Sequence, residues 1–104
     1  MEIMLRPVAT VRSARRDLAD DFWGDERLSF REKRLVVFGV LAGRGADPSA
    51  FLTHARSAFR NGELTSDELR AVILMTLPYA GYPNASPLWF AAEKLIAELA
   101  KEAK

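Results

Sequence analysis

The sequence predicts an all-α fold: a single domain over residues 1–104, built as a bundle of about five helices and assembled into an oligomer. Three observations carry this. Apolar residues recur at helical spacing through most of the chain, two S/T-x-x-E capping boxes and an Asp-Pro pair mark helix starts, and two segments are too apolar for one small subunit to cover. Strands have little support beyond a few β-branched valines.

The first helix is expected over about Thr10 to Phe22, where Val11, Ala14, Leu18 and Phe22 share a face and "WGDE" ends it. The second starts at Ser29, whose hydroxyl and the Glu32 carboxylate can each accept an unpaired first-turn N–H, and runs to about Ala42 with a stop at Gly43. Its "LVVFGVL" is apolar on every side, so it is either the central core helix or is covered by another subunit. Asp47-Pro48 opens the third, with Phe51, Leu52, Ala55, Ala58 and Phe59 as its buried stripe and Asn61-Gly62 as its end.

Thr65 and Glu68 form the second capping box, and Leu64 and Leu69 have the spacing of a hydrophobic staple. This fourth helix buries Leu69, Val72, Ile73, Leu77 and Ala80, with Leu74 and Met75 extending the apolar surface, so much of it should be covered. Pro78 removes an N–H and predicts a kink or a frayed last turn before "YAGYP". The fifth helix runs from Pro83 or Ser86 to about Ala100, burying Leu88, Ala92, Leu95 and Leu99, and lysines suit the negative end of its dipole.

Composition narrows the function. Charge is balanced at a net +1, with both signs interspersed, which argues against a nucleic-acid partner and against a helix-turn-helix reading of the "NGELT" turn. The absence of cysteine excludes disulfides, thiolate metal sites and thiol redox chemistry within this chain. No window approaches the roughly 18 apolar residues of a membrane span, and "MEIMLRPVATVRSARR" lacks a secretory apolar stretch, so no membrane association and a cytoplasmic location are expected.

The order "LSFREKRLVVFGVLAGRG", "FLTHARSAFRNG", "LTSDELRAVILMTLPYAGYP" resembles the carboxymuconolactone decarboxylase family, within the alkylhydroperoxidase-D-like fold. The matching residues are His54, Ala58, Asn61-Gly62, Thr65 to Glu68, Tyr79, Gly81 and Pro83. The resemblance implies a ring-like homo-oligomer, often a hexamer, and decarboxylation without metal or organic cofactor of a small carboxylated lactone or related intermediate of aromatic breakdown. The family's peroxidase branch needs a C-x-x-C pair that this chain lacks.

That chemistry asks for a cation to position a carboxylate, a donor for an enolate oxygen and an acid to return a proton to carbon. The candidates are the sole histidine, His54, with Lys33 at the family's cation position, Arg34 beside it, and Tyr79. A histidine at a helix edge also serves as a hydrogen-bonded structural residue, and Glu68 is explained by its capping box. Ala50, Ala71 and Met75 stand where the family carries carboxylates or a polar residue, and "NGELT" holds one extra residue. A non-catalytic member that binds a ligand or protein through an apolar pocket is the alternative reading.

Overall fold

A computed structural model describes residues 21–103. They are helical as expected, with no strand among them: a short helical stretch at residues 21–23 is followed by α1 (Phe30–Gly43), α2 (Pro48–Arg60), α3 (Ser66–Ala80) and α4 (Tyr82–Glu102). The expected first helix lies outside the described residues up to residue 20, and no described helix is long and apolar enough to cross a membrane. The main packing pairs are α3 with α4, α1 with each of the other three, and α2 with α4, so α2 and α3 flank the α1–α4 contact.

The helix starts form as the sequence dictates. Ser29 Oγ accepts from the Glu32 N–H while the Glu32 carboxylate accepts from the Ser29 N–H, and Thr65 with Glu68 repeats the arrangement. Asp47 caps α2 by accepting from the Ser49 N–H, with Pro48 in the first turn.

The helix ends differ in one respect from expectation. Gly43 remains inside α1, and the reversal is made by Gly45 at φ +66°: its N–H donates to the Ala42 carbonyl and the Ala46 N–H donates to the Leu41 carbonyl. This pair of bonds is a Schellman motif, which needs a left-handed residue just past the helix and therefore passes over a glycine that can stay helical. The same motif ends α2, where Gly62 at φ +70° donates to Phe59 and Glu63 donates to Ala58. Glu63 is thereby fixed by backbone bonds at the entrance to the α2–α3 turn.

The core is formed by Phe38 and Ala42 of α1, Phe51, Ala55 and Ala58 of α2, Leu69 and Ile73 of α3, and Leu88, Ala92 and Leu95 of α4, with Leu64 closing the turn. The Phe38 and Phe51 rings meet at 4.7 Å between centroids, tilted by 40°. Pro78 and Pro87 sit inside continuous helices, so α3 runs on to Ala80 and only Gly81, at φ +89°, separates it from α4. Pro78 leaves this last stretch of α3 one backbone bond short, yet the helix continues through it.

Two apolar surfaces stay open in the single subunit, as expected of segments that one small subunit cannot cover. α1 is not enclosed: Val36 and Val40 are 58% and 57% exposed. Leu74 and Met75, at 56% and 64%, likewise face outward. One four-helix layer has only enough partners to cover one face of each helix, and the apolar residues in excess of that face remain on the surface.

Two alanine substitutions two positions apart should have opposite signs. Gly45→Ala forces a side chain into a left-handed backbone and sets its Cβ 2.9 Å from Asn84 Oδ1, so it should lower stability by about 1–2 kcal/mol. Gly43 is helical with open space around it, so Gly43→Ala should be neutral or stabilising by up to about 1 kcal/mol. Urea unfolding of both variants checks this, and equal effects would contradict it.

Candidate functional site

Three elements converge on His54. It lies on the outer half of α2, one turn from Phe51 and Ala58, half-buried where α1 and the α2–α3 turn approach. From α1, the buried Arg34 reaches it with Nη1 at 2.8 Å from His54 Nδ1. From the turn, Glu63 receives the other edge of the same guanidinium, Nε to Oε1 at 2.8 Å and Nη2 to Oε2 at 3.2 Å. The two side chains of this pair are 10% and 7% exposed, so the two-pronged geometry operates largely out of water.

Trp23 covers the cluster. Its ring stacks on the His54 imidazole at 6.3 Å between centroids and 17° between planes, and the Arg34 guanidinium carbon lies 4.8 Å from the Trp23 ring centroid. Lys33 holds Trp23 in turn: its Nζ donates to the Trp23 carbonyl at 2.7 Å and lies 5.2 Å from the Phe30 ring centroid. An ammonium on a carbonyl at the end of a helical stretch is a favourable dipole contact.

This geometry assigns the tautomer of the neutral histidine. A guanidinium nitrogen can only donate, so His54 Nδ1 must be the acceptor, and in the neutral ring the proton is on Nε2. Nε2 makes no hydrogen bond among the described residues and is not sealed off, since no buried side-chain nitrogen or oxygen among them lacks a partner. Burial, and then the Arg34 charge, push the His54 pKa below its ordinary value, with Glu63 acting weakly in the opposite direction. Glu63 is held below the usual carboxylate range by its bonds from Arg34, and Asn61 Nδ2 adds another at 3.2 Å.

Of the residues singled out in the sequence, the structure joins His54 and Arg34 directly and ties Lys33 to them through Trp23. Tyr79 lies elsewhere. It is 82% exposed at one end of a groove of about 700 Å³ between α1 and α3, whose walls include Leu35, Gly39, Ala71 and Met75. His54 does not line that groove. Arg31 and Glu68 close its other end with an ion pair of 2.8 Å, each about half-exposed, and Glu68 also serves its capping box.

Sequence reasoning missed Glu63 and Trp23. The signal for Glu63 was present: it follows the turn glycine directly, and a Schellman motif fixes the backbone at that position. Trp23 carried no comparable signal, because its ring contacts among the described residues are to residues at least seven positions away.

Comparison with known proteins agrees with the all-helical fold. A curated 4-carboxymuconolactone decarboxylase from Acinetobacter baylyi is 32% identical over 79 residues, which are 76% of this chain and 58% of that protein. The match thus spans less than two thirds of that relative's length. No solved structure matches the chain. The model of the carboxymuconolactone decarboxylase family matches residues 11–94, and the chain belongs to that family.

Proposed function

We propose that the protein is a cofactor-free decarboxylase of a small carboxylated lactone or similar compound, working as a homo-oligomer, with His54 as a neutral hydrogen-bond donor. The observation that supports this reading is the Arg34 contact at His54 Nδ1, which leaves Nε2–H uncommitted among the described residues on the sole histidine. Loss of carbon dioxide breaks the bond to the carboxylate carbon and sends its electron pair through the conjugated system to the ring carbonyl oxygen. A fixed N–H directed at that oxygen is worth most when its charge is greatest. Lys33 retains two ammonium donors beyond its bond to Trp23 and is the cation for the carboxylate. Arg34 is spent on Glu63 and His54 and does not serve that purpose. A neutral imidazole yields its proton reluctantly, so the proton added to carbon comes from water.

The exposed Val36, Val40, Leu74, Phe90 and Tyr82 support self-association. A second reading, an apolar-ligand or protein-binding member without catalysis, is favoured by one observation, the groove between α1 and α3 with Ala71 and Met75 on its walls.

Three measurements test this reading. Turnover of a carboxymuconolactone-type substrate should fall about 100-fold or more in His54→Phe, which keeps a ring against Trp23 and removes the donor. His54→Gln, whose amide can both accept from Arg34 and donate outward, should keep well over a tenth of the rate. Equal loss in both variants would mean an acid or base instead, and a wild-type protein inactive on every such substrate would favour the binding reading. Light scattering at micromolar concentration should give a multiple of the 11.6 kDa chain, and a monomer would contradict self-association.

Stability should follow the histidine as well. Because the folded pKa of His54 is lowered, the unfolded chain takes up the proton first as pH falls through about 6.5. Stability that is fully present above that pH should be lost between about 6.5 and the lower folded value, and this step should be missing in His54→Phe.

A further inference from the structure

We propose that Glu63 and Arg34 form a positioning pair, in which the Glu63 carboxylate holds the Arg34 guanidinium in the one orientation that keeps the proton of His54 on Nε2, the ring nitrogen that Arg34 does not contact. Neither residue touches the reacting atoms in this account. The inference deepens the role proposed for His54, and its consequence for turnover rests on that reading, but the tautomer itself belongs to the free protein.

The argument is geometric. Three donor–acceptor bonds leave one planar guanidinium along two edges: two go to Glu63, at 2.8 and 3.2 Å, and one goes to His54, at 2.8 Å. The two bonds to the carboxylate fix both the plane of Arg34 and its rotation within that plane, and the third donor then falls on Nδ1. The Trp23 ring, 4.8 Å from the guanidinium carbon and stacked on the imidazole, limits movement on one side. Glu63 has little freedom of its own, because its N–H is bonded to the Ala58 carbonyl at 2.8 Å in the motif that ends α2. The next residue, Leu64, is in the core.

Among the described residues, the charged and titratable groups facing His54 are Arg34 from α1 and Glu63 from the α2–α3 turn. If the carboxylate is removed, Arg34 becomes an unmatched cation in a mostly buried place and must turn toward water, releasing Nδ1. Either ring nitrogen can then carry the proton. The backbone motif also explains why a turn residue can do this: a side chain at that position is aimed by its own main chain, whereas one on a free loop would lose entropy on being held.

The test is nitrogen NMR of the single histidine in ligand-free protein between pH 6 and 8. Wild type should show the Nε2–H tautomer alone, and Glu63→Gln, folded by its amide spectrum, should show both tautomers in comparable amounts. If Glu63→Gln does not fold, Glu63→Asp keeps the charge but withdraws it by one methylene, and should also mix the tautomers. A folded variant of either kind that retains only Nε2–H overturns the proposal, as does a wild type already mixed or protonated on Nδ1. Because no substrate is present, a positive result with an inactive wild-type protein would remove the decarboxylase reading and leave the positioning pair standing.

Discussion

A guanidinium cannot lose its proton inside a protein, so burying one obliges the structure to supply acceptors for it. Arg34 is 8% exposed, and the fold meets that obligation with a carboxylate, an imidazole nitrogen and an aromatic face. Glu63 must stand where the Schellman motif puts it, α2 must end at Arg60 for that motif to form, and Trp23 must return over α1 with Lys33 on its carbonyl. The state of His54 follows from these constraints. The ring that looks chosen for its titration has Nδ1 already taken by a group that can only donate.

The remainder of the molecule is arranged more loosely around this corner. α3 and α4 are tied by Arg70, which bonds Glu93 at 2.6 Å and Asp67 at 2.7 Å, and α1 is tied to α3 by Arg31 and Glu68. These pairs are substantially exposed and contribute little each; they fix alignment more than stability. Between α1 and α3 the walls are built from small and flexible residues, Gly39, Gly43, Ala71 and Met75, which leaves a groove instead of a sealed contact. The same chain thus carries a rigid polar corner and an open apolar cleft, with Tyr79 belonging to the second.

Much of the fold was legible because it is written locally. Capping boxes at Ser29 and Thr65, the Asp47-Pro48 start and the Asn61-Gly62 stop are interactions among residues five or fewer apart, and each forms as the spacing requires. The stop glycine of α1 was misplaced by two residues because Gly43 and Gly45 look alike in sequence, and only the backbone conformation, helical at Gly43 and left-handed at Gly45, distinguishes them. Val36, Val40, Leu74 and Met75 stand open in the single subunit, since periodicity says which residues are apolar but not what covers them. At the site, the resemblance pointed to His54, and Arg34 was one of two adjacent cations. That Arg34 is consumed by Glu63, 29 positions away, depends on how α1 crosses the turn, and no local rule carries that information.

The central claim is that Arg34, Glu63 and His54 are one unit in which the buried pair is the constraint. A double-mutant cycle on Arg34→Met and Glu63→Leu, followed by urea unfolding, addresses it most directly. Each single substitution should cost about 3–5 kcal/mol by stranding a buried charge, while the double variant, with both charges gone and similar volume kept, should lose far less than their sum. Additive losses would contradict the account, because they would mean that the two residues stabilise the fold independently and that nothing in this corner compels the state of His54.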